Sequence, residues 1–402
     1  MISIRSFAKI NLGLKIGPVR PDGFHELRTV YQTLALHDVV RVDVQPGSGI
    51  EIRCDDPRVP RDESNTCHKV AERVLRVASG IASPGKQIPH GLKSARDDNK
   101  KRAASGTAKA VPFQKPSREI NPSQEISIPG RVVIEIEKRL PVQGGMGAAS
   151  SNAVAAMLGL ERALGVTLDP QEKLRIAAEV GSDLPLFLIG GTVLGVGRGE
   201  EVHPLPDLPV FYVVVVTPPI GVSTPKAFAQ WDALVACADT PLALPATKSE
   251  AALTGADAAG TINKFSESVF AWLSESFPQA GSPASPAFGL GGVKVGPASG
   301  VPAFGGDRAE TPLLDLVRAG IENDFERVVF PEYPELREVK ELLQRAGAQY
   351  ASLSGSGSTL YGLFAGAEEA QAAAERMRAG GHAAAATTTL TREEYWKAMA
   401  RG

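Results

Sequence analysis

Residues 132–137, Val-Val-Ile-Glu-Ile-Glu, place Val132, Ile134 and Ile136 on one face of a strand. The chain then passes through Lys138-Arg-Leu-Pro-Val-Gln-Gly-Gly-Met-Gly-Ala-Ala-Ser-Ser-Asn and straight into an amphipathic helix over Ser151 to Leu164. A strand that turns so tightly into a helix lays the helix on a sheet, which demands mixed α/β layers. The loop also has a chemistry. Gly144, Gly145 and Gly147 allow close approach of a bulky anion, and Ser150 and Ser151 offer hydroxyls and caps. The helix N-terminus adds about half a positive charge and unpaired N–H donors. Phosphate is the natural guest, while a tight, serine-capped connection is the alternative on these residues alone. No Gly-Lys-Ser/Thr follows, so this is no Walker A loop, and Ser150 stands where a dinucleotide fingerprint needs its third glycine.

The rest of the chain alternates in the same way. Strands are expected at Ile2 to Phe7, Val39 to Val44 and Val210 to Val216, the last buried on both faces. Helices are expected at Cys67 to Val77, Pro170 to Val180, Glu332 to Arg345 and Glu368 to Arg378. Gly165, Gly181 and Gly347 sit where left-handed stops belong. Pro204, Pro206 and Pro209 punctuate the chain and divide it into units 1–205 and 206–402. Glycine and proline, 41 and 30 of the 402 residues, are in excess, and the excess is concentrated in two polar stretches, 79–129 and 278–311, which read as flexible, solvent-exposed insertions.

Charge narrows the function. With 43 Lys and Arg against 45 Asp and Glu, the formal charge is −2, which disfavours a general nucleic-acid binder or a membrane-surface protein. The basic run Lys93 to Arg102 contains Asp97 and Asp98 and reads as a solvated segment. Cys54, Cys67 and Cys237 form no C-x-x-C pair, which fits a reducing, cytoplasmic compartment. The first residues lack a basic region followed by an apolar core and no window approaches 18 apolar residues, so neither an export signal nor a spanning helix is expected.

Two titratable positions stand out. In Ser6-Phe-Ala-Lys-Ile-Asn-Leu-Gly-Leu, alternation puts Lys9 and Asn11 on one strand face and Ile10, Leu12 and Leu14 on the other. A lysine so placed is either a snorkelling surface residue or the partner of an anion. In Gly181-Ser-Asp-Leu-Pro-Leu-Phe, Asp183 lies beside an apolar run. It either caps a helix opened by Pro185 or, held ionised by a lysine, accepts a proton from an alcohol. Pro21-Asp-Gly-Phe-His-Glu-Leu offers Phe24 and His25 for stacking on a flat heterocycle, or is a turn with a core phenylalanine. Leu353-Ser-Gly-Ser-Gly-Ser-Thr-Leu-Tyr supplies small residues where a second backbone or a phosphate can approach.

Taken in order, these segments resemble the small-molecule kinase superfamily of galactokinase, homoserine kinase, mevalonate kinase and phosphomevalonate kinase. The resemblance is carried by Ser6 to Leu14, Arg20 to Leu27, Leu140 to Ala153, Gly181 to Phe187, Val222 to Phe228, Glu322 to Glu326 and Ser354 to Ser358. Arg20-Pro-Asp-Gly-Phe-His-Glu-Leu is most similar to the branch whose acceptor is a cytidine-diphosphate-linked methylerythritol. The resemblance implies a ribosomal-protein-S5-like N-terminal domain, a ferredoxin-like C-terminal domain and an active site between them. It further implies transfer of the γ-phosphoryl group of ATP, with Mg2+, to the 2-hydroxyl of that small-molecule substrate, a step of non-mevalonate isoprenoid synthesis. Lys9 and Asp183 would form the catalytic pair. Pro141, Val142, Gln143, Gly144, Gly145, Met146, Gly147, Ala148, Ala149, Ser150 and Ser151 would wrap the ATP phosphates. Asn11, Phe24, His25 and Phe228 would contact the substrate, the aromatics sandwiching cytosine. The resemblance names no metal ligand, and a monomer or homodimer is expected. Ala148 and Ala149 depart from the family loop, which usually has glycines there. A sister kinase for homoserine or a mevalonate-type alcohol, and a non-catalytic nucleotide- or RNA-binding protein on the same scaffold, are the competing readings.

Overall fold

The computed structural model describes residues 1–82, 130–142, 144–238 and 322–400. The long strands β1 (Ile2–Val19) and β2 (His25–Gln45) pair antiparallel and form the spine of a six-stranded sheet. On the edge of β2 away from β1, β4 (Arg131–Glu137) and then β3 (Ile50–Cys54) follow from its C-terminal end, and β5 (Thr192–Val196) and then β6 (Glu201–Pro204) from its N-terminal half. Helices α1 (Thr66–Ala82), α2 (Ala148–Leu164), α3 (Pro170–Val180) and the single turn α4 (Leu184–Phe187) belong to the same part of the chain. Their apolar faces meet Ile4, Val40, Val42, Val132, Ile134 and Ile136 in one core.

A second, four-stranded antiparallel sheet has the order β10-β7-β9-β8. It comprises β7 (Tyr212–Val216), β8 (Tyr350–Leu353), β9 (Leu360–Phe364) and β10 (Ala384–Thr388). With it go α5 (Thr224–Ala238), α6 (Glu326–Glu332), α7 (Pro334–Arg345) and α8 (Ala367–Ala379). Strand β7 is buried on both faces, as its unbroken apolar run requires. Val213 and Val215 face a middle core that includes Ile10 and Leu12 of β1, whereas Val214 and Val216 face an outer core under the helices. The last helix, α9 (Arg392–Met399), returns to the first core through Tyr395 and Met399.

The expected elements are present with altered limits. β1 runs on through Lys9 and Asn11 to Val19. Its register shifts between Asn11 and Gly13, so Leu14 joins the outer core rather than Ile10 and Leu12. Ser79 belongs to α1, bonding the Leu75 carbonyl at 2.8 Å, so the first insertion begins later than residue 79. Its remainder from 83 to 129, and the stretch 278–311, lie outside the described residues. The helix expected over Glu332 to Arg345 is interrupted at Tyr333, ahead of Pro334. Gly165 and Gly347 have φ of 64° and 103°, but Gly181 is extended at −179°, so the expected left-handed stop there is corrected. The chain leaves α3 extended and turns at Ser182 and Asp183, where the Leu184 amide donates to the Gly181 carbonyl at 3.2 Å. No described helix is long and apolar enough to cross a membrane.

Candidate active site

Lys9 lies on the spine strand and is almost wholly buried, which rules out a snorkelling surface role. Its Nζ is 3.2 Å from Oδ2 of Asp183 and 2.7 Å from Oδ1 of Asn11, and it stands 5.3 Å from the centre of the Tyr31 ring. Asn11 is oriented in turn, because its Nδ2 donates to Thr29 Oγ1 at 2.8 Å and Thr29 donates to the Gly13 carbonyl at 2.7 Å. Asp183 precedes α4, yet its side chain makes no capping hydrogen bond. Oδ1 instead accepts from the Tyr31 hydroxyl at 3.2 Å, while a third of the side chain stays exposed. Burial, reinforced by Asp183, pushes the Tyr31 phenol well above its ordinary value, so it remains a donor.

The glycine-rich loop closes over this pair. Met146 accepts from the Lys9 amide at 3.0 Å, and a Cβ on Gly147 would lie 2.9 Å from Phe187 and 3.1 Å from Lys9 Cγ. Gly147 has φ 67° and stands at the N-cap of α2, whose first turn no side chain caps. Ala148 and Ala149 are the first helical residues, one buried against the middle core and one exposed. A helix start accommodates alanine, so the two departures leave the left-handed turn itself intact. Ser151 is turned inward, its hydroxyl lying 2.8 Å from that of Ser6, and does not supply the loop with a hydroxyl as expected. Ser150 remains partly exposed on the first turn. Pro141 and Val142 lie partly buried at the loop's entry, and Gln143 is outside the described residues.

The late glycine-serine segment lies against the other side of the same loop. Ser354 Oγ donates to the Gly145 carbonyl at 3.0 Å, the Thr359 amide donates to the Gly144 carbonyl at 3.0 Å, and a Cβ on Gly145 would overlap the Ser354 carbonyl oxygen. Buried Asn323 holds this segment by donating to the Leu353 and Gly355 carbonyls at 2.8 and 2.7 Å. Gly355 in turn lies near Asn11 and Lys9.

The expected base-contacting residues gather differently. His25 stacks face to face on Phe228 at 4.7 Å and 13°, and its Nε2 is 2.7 Å from Asp232 Oδ1. Phe228 meets Phe325 edge-on at 5.0 Å. Phe24 stands apart, half exposed, under the Arg198 guanidinium at 4.9 Å. Two of the three rings expected to sandwich a base therefore lie one on the other.

Tyr31, Thr66, Lys15 and Asp38 lie outside every segment singled out in the sequence. Thr66 Oγ1 donates to the Ala149 carbonyl at 2.9 Å. Lys15, buried on β1, donates to Asp324 Oδ1 at 3.1 Å. Burial raises the Asp324 carboxyl above its usual range, against the pull of Lys15. The even spacing of Lys9, Asn11 and Lys15 along β1 was the available signal for Lys15; the others needed tertiary contacts.

Backbone N–H groups at a left-handed turn, an uncapped helix start and an amine paired with a carboxylate together suit phosphoryl transfer to an alcohol. Comparison with known proteins agrees. Residues 116–191 match the GHMP kinases N terminal domain and residues 310–383 match GHMP kinases C terminal. The chain belongs to the GHMP kinase family. Its relatives there include a 4-diphosphocytidyl-2-C-methyl-D-erythritol kinase of Solibacter usitatus (strain Ellin6076), 30% identical over 90% of this chain and 80% of that protein. Another of the same name, from Acaryochloris marina (strain MBIC 11017), is 28% identical over 94% of this chain and 91% of its own length. A crystal structure of 4-(cytidine 5'-diphospho)-2C-methyl-D-erythritol kinase shares the fold with a TM-score of 0.58, at 24% identity, over 96% of this chain and 99% of that one. The L. major mevalonate kinase does so with a TM-score of 0.57, at 14% identity, over 97% and 96%.

Proposed function

We propose that this protein transfers the γ-phosphoryl group of ATP to the 2-hydroxyl of 4-diphosphocytidyl-2-C-methyl-D-erythritol. The observation that carries the reading is the contact of Lys9 with Asp183 beneath the glycine loop. Lys9 and Asp183 are the catalytic pair. The exposed part of Asp183 accepts the proton of the acceptor hydroxyl, and Lys9 fixes the carboxylate and stabilises charge on the reacting oxygens. The loop from Pro141 to Ala149, with the first turn of α2, holds the donor's phosphates by backbone N–H groups. Phosphoryl transfer needs mainly such positioning and charge stabilisation, so this set is sufficient.

Magnesium fits what is present. The described residues contain no cluster of three His, Cys, Asp or Glu that would form an all-protein cage. Mg2+ typically keeps its waters and phosphate oxygens and takes only one or two protein oxygens. Asp183 and the Ser150 hydroxyl would hold the ion. A bound magnesium ion would neutralise triphosphate charge.

Asn11, Phe24, His25 and Phe228 serve the acceptor, with the stacked His25 and Phe228 parting to admit cytosine between them. We place the donor-binding unit at 1–205 and the second unit at 206–402, with the acceptor between them. The names of the relatives favour this acceptor over homoserine or mevalonate. The basic run Lys93 to Arg102, on which an RNA-binding reading rests, lies outside the described residues.

A coupled ATP-consumption assay with three acceptors tests the substrate. The cytidylyl compound should turn over, with homoserine and mevalonate at background. Equal turnover of either alternative would overturn the assignment of the acceptor while leaving a kinase.

A further inference from the structure

Asp38, near the middle of β2, is completely buried and has no access to the site. Its two oxygens divide their partners. Oδ1 accepts from the backbone amides of Arg139 at 2.7 Å and Leu140 at 2.6 Å, the residues that lead from β4 into the glycine loop. Oδ2 accepts from Lys138 Nζ at 2.6 Å and from Asn152 Nδ2 at 3.0 Å, and Asn152 lies on α2 just beyond the loop's other end. One carboxylate therefore holds both the chain entering the loop and the helix leaving it. Ser6 extends the tether to β1 by donating to Asn152 Oδ1 at 2.6 Å, three residues before Lys9.

We propose that Asp38 is a positioning residue for the donor: it sets the span of the loop from Pro141 to Gly147 and its distance from Lys9, and so determines affinity for the nucleoside triphosphate rather than for the acceptor. The inference rests on the reading of that loop as the phosphate site. A carboxylate suits the task because it is acceptor-only and takes four donors at once. The Lys138 ammonium, itself nearly buried, supplies the compensating charge. Among the described residues no hydrogen bond joins the acceptor-facing His25 or Phe228 to this network, and Asn11 meets it only through Lys9, so a change at Asp38 reaches the two substrates unequally.

Asp38→Asn separates the two halves of the tether. The amide oxygen still accepts from Arg139 and Leu140, but the amide NH2 now faces two donors, Asn152 Nδ2 and Lys138 Nζ. The expected result is a rise of about tenfold in KM and Kd for ATP, with KM for the acceptor within about twofold. Asp38→Asn combined with Asn152→Asp returns an acceptor to the helix side, and ATP affinity should recover to within about threefold of the wild type. If the single variant does not fold, Asn152→Ala cuts only the helix end and should still weaken ATP binding several-fold. Equal shifts in both substrates, a double variant no better than the single one, or unchanged ATP affinity in Asn152→Ala would each overturn the proposal. Equilibrium ATP binding is measured without acceptor, so a protein that binds ATP but phosphorylates nothing would defeat the functional reading and leave this test standing.

Discussion

The Asp183 carboxylate engages the Lys9 ammonium at 3.2 Å with one oxygen and the Tyr31 hydroxyl at 3.2 Å with the other, and caps nothing. An aspartate at a helix start ordinarily turns to the free amides of that helix. Here α4 is a single turn opened by Pro185, which removes one of those amides, and Lys9 arrives on β1 from the other side. The acid is thereby held open to the loop's mouth.

Tyr31 donates one bond to Asp183 and is not placed to transfer a proton itself. Tyr31→Phe should lower kcat by roughly fivefold, the worth of about one hydrogen bond. Its pKa is raised by burial and by Asp183, so the phenol stays protonated to well beyond pH 10. The alkaline limbs of the kcat profiles of wild type and variant should therefore coincide from about pH 7 to about pH 10. An alkaline limb that disappears in the variant would show that Tyr31 titrates in that range.

Gly145 and Ala149 make opposite predictions within one loop. Gly145 has φ 85°, and a side chain there would drive into the Ser354 carbonyl, so Gly145→Ala should abolish ATP binding by separating the two glycine segments. Ala149 is an exposed helical residue, and Ala149→Gly should cost about 0.5–1 kcal/mol of stability with kcat preserved. Denaturant melts and isothermal titration with ATP distinguish them. A gain in activity on restoring glycine at 149 would mean that the family's glycines serve the phosphates directly.

Phe228 stacks on His25 and so occupies the face a base would need. Phe228→Ala should raise KM for the cytidylyl acceptor by about tenfold, since an aromatic stack on a base is worth roughly 1–3 kcal/mol. KM for ATP should not move. Equal changes in both constants would remove Phe228 from the acceptor's side of the site.

Much of this arrangement was readable from residue order. The strand, loop and helix around Gly144 to Gly147 follow from alternation and glycine, and the valines of β7 identify a doubly buried strand. Lys9 and Asn11 on one face followed from period two alone. What alternation could not supply was the bulge after Asn11, which moves Leu14 to another core, because bulges depend on the partner strand. Gly181 misled for a related reason: a glycine after a helix permits a left-handed turn, but the path the chain takes beyond it decides whether one forms. Ser151 looked like a loop hydroxyl because sequence shows proximity along the chain and not the inward side of a helix. Asp38 and Tyr31 gave no local signal, since each acts on residues distant in the chain.

The Asp183→Asn variant tests the central assignment most directly, by single-turnover phosphoryl transfer alongside equilibrium nucleotide binding. If Asp183 accepts the acceptor's proton, the transfer rate falls by about 10²- to 10⁴-fold while ATP affinity stays near that of the wild type. Transfer at close to the wild-type rate would contradict the account.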